Sequence, residues 1–248
     1  MNEVLKQIKN RKSMRVFEDK PIEAHIKEEI INSALEAPTA GAMMLYSIID
    51  ITDESLKKKL SVLCDNQPFI AKAPLVMIFI ADYERWYDSF KFEECNPREP
   101  GEGDILLAYS DAIIAAQNTV VAAESFGIGS CYIGDIIENC EEVKELLGLP
   151  KYVVPAAMVV YGYPTEAQKN RTKPARFEKK YIVYENKYHS LSKEEHVKMH
   201  TTKNENRGIK DKDISEEIKA FCKRKYMSAF SLEMNRSAGE YLKKFRTK

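Results

Sequence analysis

Residues 105–134 read ILLAYSDAIIAAQNTVVAAESFGIGSCYIG. Ile105 to Phe126 contains no proline or glycine, is rich in alanine, and is apolar nearly all round. That pattern predicts a long helix, central and buried, ending at Gly127. The glycines that follow, through Gly134, fit a helix cap and a close approach of backbone to a ligand. They do not match the GxGxxG spacing of a dinucleotide-binding βαβ unit. Working outward, Leu75 to Ala81 is a continuous apolar run bounded by Pro74 and Asp82, which predicts a buried strand. Tyr152 to Tyr161 predicts a second, ended by Gly162-Tyr163-Pro164, and Leu45 to Ile51 a third. Helical spacing of apolar residues covers 3–10, 22–37, 55–63 and 141–147, with Pro38 and Gly148 as stops. Strands and helices alternate without a βαβ rhythm, so the expected class is a layered α+β domain, not a Rossmann fold.

The remaining segments are less regular. Residues 82–103 read as a long irregular loop, but Tyr83, Trp86, Tyr87, Phe90 and Phe92 argue against disorder. The stretch His189 to Asp213 is polar and charge-rich and reads as a linker. Ser215 to Lys244 then reads as helical, with no core of its own. It must pack on the main domain or on a partner subunit. The expected organisation is therefore a domain over 1–188, a linker over 189–213 and a helical extension over 214–248.

Composition narrows the function. Lysines plus arginines number 38, as do aspartates plus glutamates, so a general nucleic-acid binder with its basic excess is not expected. The apolar runs are too short to predict a membrane span, and the charged start does not read as a signal peptide. Five cysteines, Cys64, Cys95, Cys131, Cys140 and Cys222, form no CxxC pair, which predicts neither a disulfide framework nor a zinc site and fits the cytoplasm. His25, His189, His196 and His200 lie in polar contexts and read as surface residues.

Separate segments carry chemistry suited to an anionic, planar ligand. Arg11-Lys12-Ser13-Met14-Arg15 supplies forked, point-charge and hydroxyl donors for a phosphate, or forms a solvated basic turn. Ala37-Pro38-Thr39-Ala40-Gly41-Ala42-Met43-Met44 would let backbone and methionine approach a flat ring, or is an ordinary turn. Asn66-Gln67-Pro68-Phe69 offers amides to an imide-like edge, or is loop chemistry. Arg171-Thr172-Lys173-Pro174-Ala175-Arg176 repeats the phosphate-type pattern far downstream. No nucleophile with an adjacent base stands out.

In this order and spacing the segments resemble the FMN-dependent nitroreductase family, which includes NAD(P)H flavin reductases. RKSMRVF with KPI, APTAGAMMLYS, NQPF before KAPLVMIF, GIGSCYIGD, and YGYP before KPARF carry the resemblance over roughly residues 1–188. It implies a three-layer α/β/α sandwich with a mainly antiparallel sheet, an interlocked homodimer, and FMN at the subunit interface. Arg11, Lys12 and Ser13 would lie near the phosphate and ribityl chain. Arg15 would stabilise negative charge on the reduced flavin's pyrimidine end. Asn66 and Gln67 would meet the ring edge, and Ile128, Gly129, Ser130 and Cys131 would run along it. Lys173 and Arg176 would be further phosphate ligands. Ala42 replaces an asparagine of many relatives, and Ala175 is inserted into their KPR.

The implied reaction is ping-pong. NAD(P)H gives a hydride to flavin N5, which passes it to a nitroaromatic, quinone or flavin acceptor. Met43, Tyr83, Trp86 and Phe90 are the expected substrate contacts, with the aromatic loop as a flap. The alternatives are another flavin reaction on the same fold, such as reductive dehalogenation or flavin fragmentation, or a non-enzymatic flavin sensor or carrier.

Overall fold

In the computed structural model, which describes residues 1–246, the apolar runs become the middle of a sheet. The strands are β1 Tyr46–Asp50, β2 Leu75–Asp82, β3 Gly129–Ile133 and β4 Val153–Gly162. The helices are α1 Glu3–Asn10, α2 Ala24–Leu35, α3 Glu54–Leu63, α4 Pro68–Lys72, α5 Glu84–Phe92, α6 Glu102–Ser125, α7 Cys140–Leu147, α8 Glu166–Lys169, α9 Lys193–Glu205, α10 Ile214–Phe221 and α11 Ala229–Leu242. The sheet order is β1-β2-β4-β3, and every neighbouring pair is antiparallel.

The pleat sorts β2 onto two cores. Leu75, Met77 and Phe79 join α2 and α6 on one face, while Val76, Ile78 and Ile80 join α3, α4 and α7 on the other. Helices thus cover both faces, so β2 and β4 read as unbroken apolar runs even though the sheet is antiparallel. The register slips once. Phe79 pairs with Ala157 and Ile80 with Pro155, leaving Ala156 as a bulge. Pro155 has no N–H to give a ladder, and a bulge is one of the few central positions that tolerates it. The slip also changes parity: Val159 and Tyr161 face one core, but Val153, of the same parity, faces the other.

Helix α6 lays Ala108, Ala112, Ala115, Ala116 and Ala123 against the sheet. Only one side is buried, which corrects the expectation of a helix buried all round. Leu106, Leu107 and Ile114 stand on the other side, Leu106 at 67% exposure. Although α6 is long and apolar enough to cross a membrane, its alanine side is packed as a core helix packs. The irregular loop expected over 82–103 is also corrected, because Glu84–Phe92 is helical.

The chain divides into two compact units, 1–171 with 233–248, and 172–232. This division differs from the expected boundaries at 188 and 213. In the first unit the C-terminal stretch packs on its own chain. Tyr241 and Phe245 are buried, and the Phe245 ring meets Tyr152 at 5.4 Å. The Arg236 guanidinium forks onto Glu141 at 2.9 and 2.8 Å. For residues 233–246 the observed packing is on the main domain, one of the two alternatives the sequence left open; positions 247 and 248 lie outside the described residues. In the second unit the expected linker contains α9, closed by a reciprocal Ser192–Glu195 cap. The single helix expected over 215–244 is interrupted by a π-turn at Cys222–Tyr226. His200 is half-buried edge-on to Phe177, not a surface residue.

Candidate functional site

The basic segment after α1 lies along the outer edge of β3. Met14 N donates to Ser130 O at 2.9 Å, and Ser13 and Ser130 form a parallel bridge. Two glycines seat this segment. A Cβ on Gly129 would stand 2.5 Å from Met14 Cγ, and one on Gly162 would stand 2.7 Å from Phe17 Cγ. The space beside the Gly129 Cα is thus filled by Met14, and any ligand contact of Gly129 would be through its backbone. Ile128 is likewise a core side chain, fully buried, so only its backbone could meet a ligand.

Pinned in this way, the segment gathers its cations around Cys131. Burial pushes the Cys131 thiol up, while Arg15, Ser13, Arg11 and Arg171 pull it down. Arg171 Nη2 donates to Ser13 O at 2.6 Å. Sequence reasoning noted Arg171 only as part of a basic run and did not select it. Lys12 is committed differently: its ammonium donates to the carbonyls of Lys169 and of Arg171, the latter at 2.6 Å, and so holds the end of α8. In this cluster Arg11 Nη1 is buried without a hydrogen-bond partner, as is Ser130 Oγ on the other face of β3 from Cys131. Leaving such atoms unpaired is costly, so the cluster is chemically suited to an incoming acceptor-rich group.

The amide segment joins the same edge. The Arg15 guanidinium lies 5.9 Å from the Phe69 ring centroid. Gln67 Nε2 donates to Cys64 O and to Asp135 Oδ2, both at 2.8 Å. Asp65 and exposed Asn66 take left-handed backbone at φ +59 and +51, turning the chain from α3 into α4. Asp135 follows β3 directly and was not foreseen from sequence.

The proposed substrate residues lie elsewhere. Trp86 Nε1 donates to Met43 O at 2.7 Å, and the Trp86 and Phe90 rings meet in a tilted contact at 5.5 Å. Tyr83, Trp86 and Met43 pack with the cluster around Leu45 and Ala81. Arg85 clasps the start of β1 through Tyr46 O at 3.1 Å and Ser47 Oγ at 2.6 Å. This group adjoins β1, whereas the cationic group adjoins β3, the opposite edge of the sheet. Three strand spacings, about 14 Å, separate these edges. One chain therefore does not bring the two groups together. Lys173, half-buried, and Arg176, whose Nη1 donates to Pro174 O at 3.2 Å, belong to the second unit.

Comparison with known proteins follows this geometry. A family model described as "Nitroreductase family" matches residues 8–163. The chain is 35% identical over 188 residues to a "CR(VI) reductase" of Pseudomonas sp. (strain G-1), covering 76% of each. It is 35% identical over 190 residues to "FMN reductase (NADPH)" of Bacillus subtilis (strain 168), covering 76% of this chain and 75% of that one. Among solved structures, NfrA2 of B. megaterium superposes with a TM-score of 0.82 at 30% identity, covering all of both chains.

Proposed function

The chain belongs to the nitroreductase family and is an oxidoreductase, and on that premise we propose that it binds FMN and uses it to pass electron pairs from NAD(P)H to electron-poor acceptors. One observation carries the cofactor reading. The cationic edge of β3 gathers Arg15, Ser13, Arg11 and Arg171 around Cys131, and Arg11 Nη1 is buried there without a hydrogen-bond partner. Arginine forks suit a phosphate, and a cation near the pyrimidine end of a flavin favours its reduced, anionic form. Arg11, Ser13, Ser130 and Arg171 would hold the phosphate and ribityl chain. Arg15 would supply charge at the ring, with Gln67 at the ring edge and Asn66 beside it. Lys173 and Arg176 remain proposed as further phosphate ligands. When bound, FMN supplies the hydride acceptor and donor; the protein's part is to grip, orient and tune it.

The reading includes a homodimer with the site at the interface. Two observations support it. The cationic and aromatic groups stand at opposite sheet edges, so a second copy is needed to bring one of each to the same ligand. Apolar side chains also stand exposed on two helices, Val4, Leu5 and Ile8 on α1 and Leu106, Leu107 and Ile114 on α6. The acceptors proposed are nitroaromatics, quinones and free flavin, reduced by a ping-pong cycle; the relative named for Cr(VI) reduction adds a metal oxyanion to that class. Five free cysteines support a reducing, cytoplasmic setting.

An absorption spectrum of the purified protein mixed with FMN, followed by anaerobic NAD(P)H titration, tests the proposal. A bound oxidised-flavin spectrum that bleaches on titration is expected. A protein that neither retains nor takes up FMN would refute it.

A further inference from the structure

Between β3 and the turn after α3 a chain of polar groups leads away from Gln67. The terminal atom of the Gln67 amide is flanked by two acceptors, Cys64 O and Asp135 Oδ2, each at 2.8 Å. Only the nitrogen can sit between two acceptors, so the amide orientation is fixed by its surroundings. Both Nε2 hydrogens are consumed, and Oε1 is left as the free end of a half-buried side chain. Behind Asp135 stands Glu138, 4% exposed, within hydrogen-bonding reach of the Asp135 carboxyl and with Oε1 buried and unpartnered.

We propose that Asp135, backed by Glu138, is a positioning residue that holds the Gln67 amide nitrogen inward and its oxygen outward, so that the chain offers an acceptor to the imide N–H of an isoalloxazine ring. This rests on the FMN reading above. Without Asp135 the amide could rotate and present either a donor or an acceptor. The ring edge alternates carbonyl acceptors with that single N–H donor, so an unfixed amide would bind it less well. Glu138 keeps Asp135 in place by donating a hydrogen bond to it from its protonated carboxyl. The charged groups that face Glu138 are all acidic: Asp135 beside it, Asp65 from the turn after α3, and Glu233 from α11, which is itself paired with Arg236; the buried Cys64 thiol at the end of α3 also faces it and is pushed up by burial and by Asp135 and Glu138. Burial, with these neighbours, raises its carboxyl to about 7. Above that pH the proton is lost, Asp135 and Glu138 repel, and the hold on Gln67 weakens.

The test is FMN affinity of the full chain, read by flavin fluorescence, for wild type, Gln67→Ala, Asp135→Ala and the double variant, with melting of each unliganded protein recorded alongside. Each single change should weaken binding about tenfold, the loss of one hydrogen bond. The double variant should bind no more weakly than Gln67→Ala. A hundredfold loss in the double variant, or an unchanged affinity for Asp135→Ala, would overturn the proposal. Glu138→Gln, which keeps the volume, carries the test if Asp135→Ala does not fold. Wild-type affinity should fall as pH rises from 6 to 8.5, and the variant should lose that part of the slope. The second ionisation of the FMN phosphate is common to both proteins and cancels. Parallel slopes would overturn the role of Glu138. A wild type that binds no FMN would instead refute the cofactor reading itself.

Discussion

Adding one carbon at Gly129 should loosen the cationic segment without touching a charge. In Gly129→Ala the new Cβ would lie 2.5 Å from Met14 Cγ and 3.0 Å from Met14 Cβ. Apolar carbons rest at about 3.5–4.0 Å, so Met14 must move by roughly 1 Å. Met14 is buried, and its backbone N–H is the bond that ties the segment to Ser130. Overpacking of this kind costs about 1–3 kcal/mol. In a unit of this size that corresponds to a fall in melting temperature of about 2–4 °C per kcal/mol. Arg11, Ser13 and Arg15 ride on the displaced segment, so FMN affinity should fall with stability. Thermal unfolding by circular dichroism and flavin fluorescence quenching measure the two effects. Met14→Ala alone removes buried methylenes and is also destabilising, yet in the double variant the alanine at 129 partly fills the gap. The combined loss should be smaller than the sum of the two single losses by at least about 1 kcal/mol. Strict additivity, or an unaltered Gly129→Ala protein, would refute the seating of Met14 on Gly129.

Other outcomes follow from the same geometry. Ser130→Ala removes a buried hydroxyl that has no partner, so the unliganded protein should keep or gain up to about 1 kcal/mol in urea unfolding, while FMN binding weakens; a destabilised unliganded protein would show the hydroxyl to be paired. Phe245→Ala empties a fully buried site and should cost about 3–5 kcal/mol in the same assay; a change under 1 kcal/mol would mean that the C-terminal stretch does not pack there in solution. Glu138 gives a pH signature. Its folded carboxyl sits near 7, above the usual glutamate value, so the folded state holds the extra proton. Wild-type stability should therefore drop, relative to Glu138→Gln, as pH rises from about 4.5 to 7, and then stay level. The drop should be on the order of 1–3 kcal/mol, and urea midpoints that run parallel across this range would contradict it.

The central strands were legible because burial on both faces leaves a plain mark, an unbroken apolar run. Their order was not, and that order separates the aromatic group from the cationic one. Helix α5 was missed although Tyr83, Trp86, Tyr87 and Phe90 recur at helical spacing; acidic and basic residues among them masked the pattern. Strand β3 was hidden among glycines that read as a helix cap and a ligand approach, of which Gly129 seats Met14 along the edge. At the site, Arg11, Ser13, Arg15, Gln67 and Ser130 were chosen from sequence and do converge on β3 or its neighbouring turn. Arg171 carried no local signal to rank it above Lys173 or Arg176. Asp135 and Glu138 could not be chosen at all, because their meaning comes from a contact with a turn some seventy residues away in the chain.

The bulge at Ala156 has a bearing on how this fold tolerates change in length. Because it exchanges inside and outside along β4, it works as a reading-frame mark for side chains. Loss of that one alanine would restore a perfect ladder and yet turn Val153 and Val154 to the wrong layers. The strand is therefore irregular by necessity, and smoothing it would unmake the helix–sheet packing on which both edges of the molecule depend.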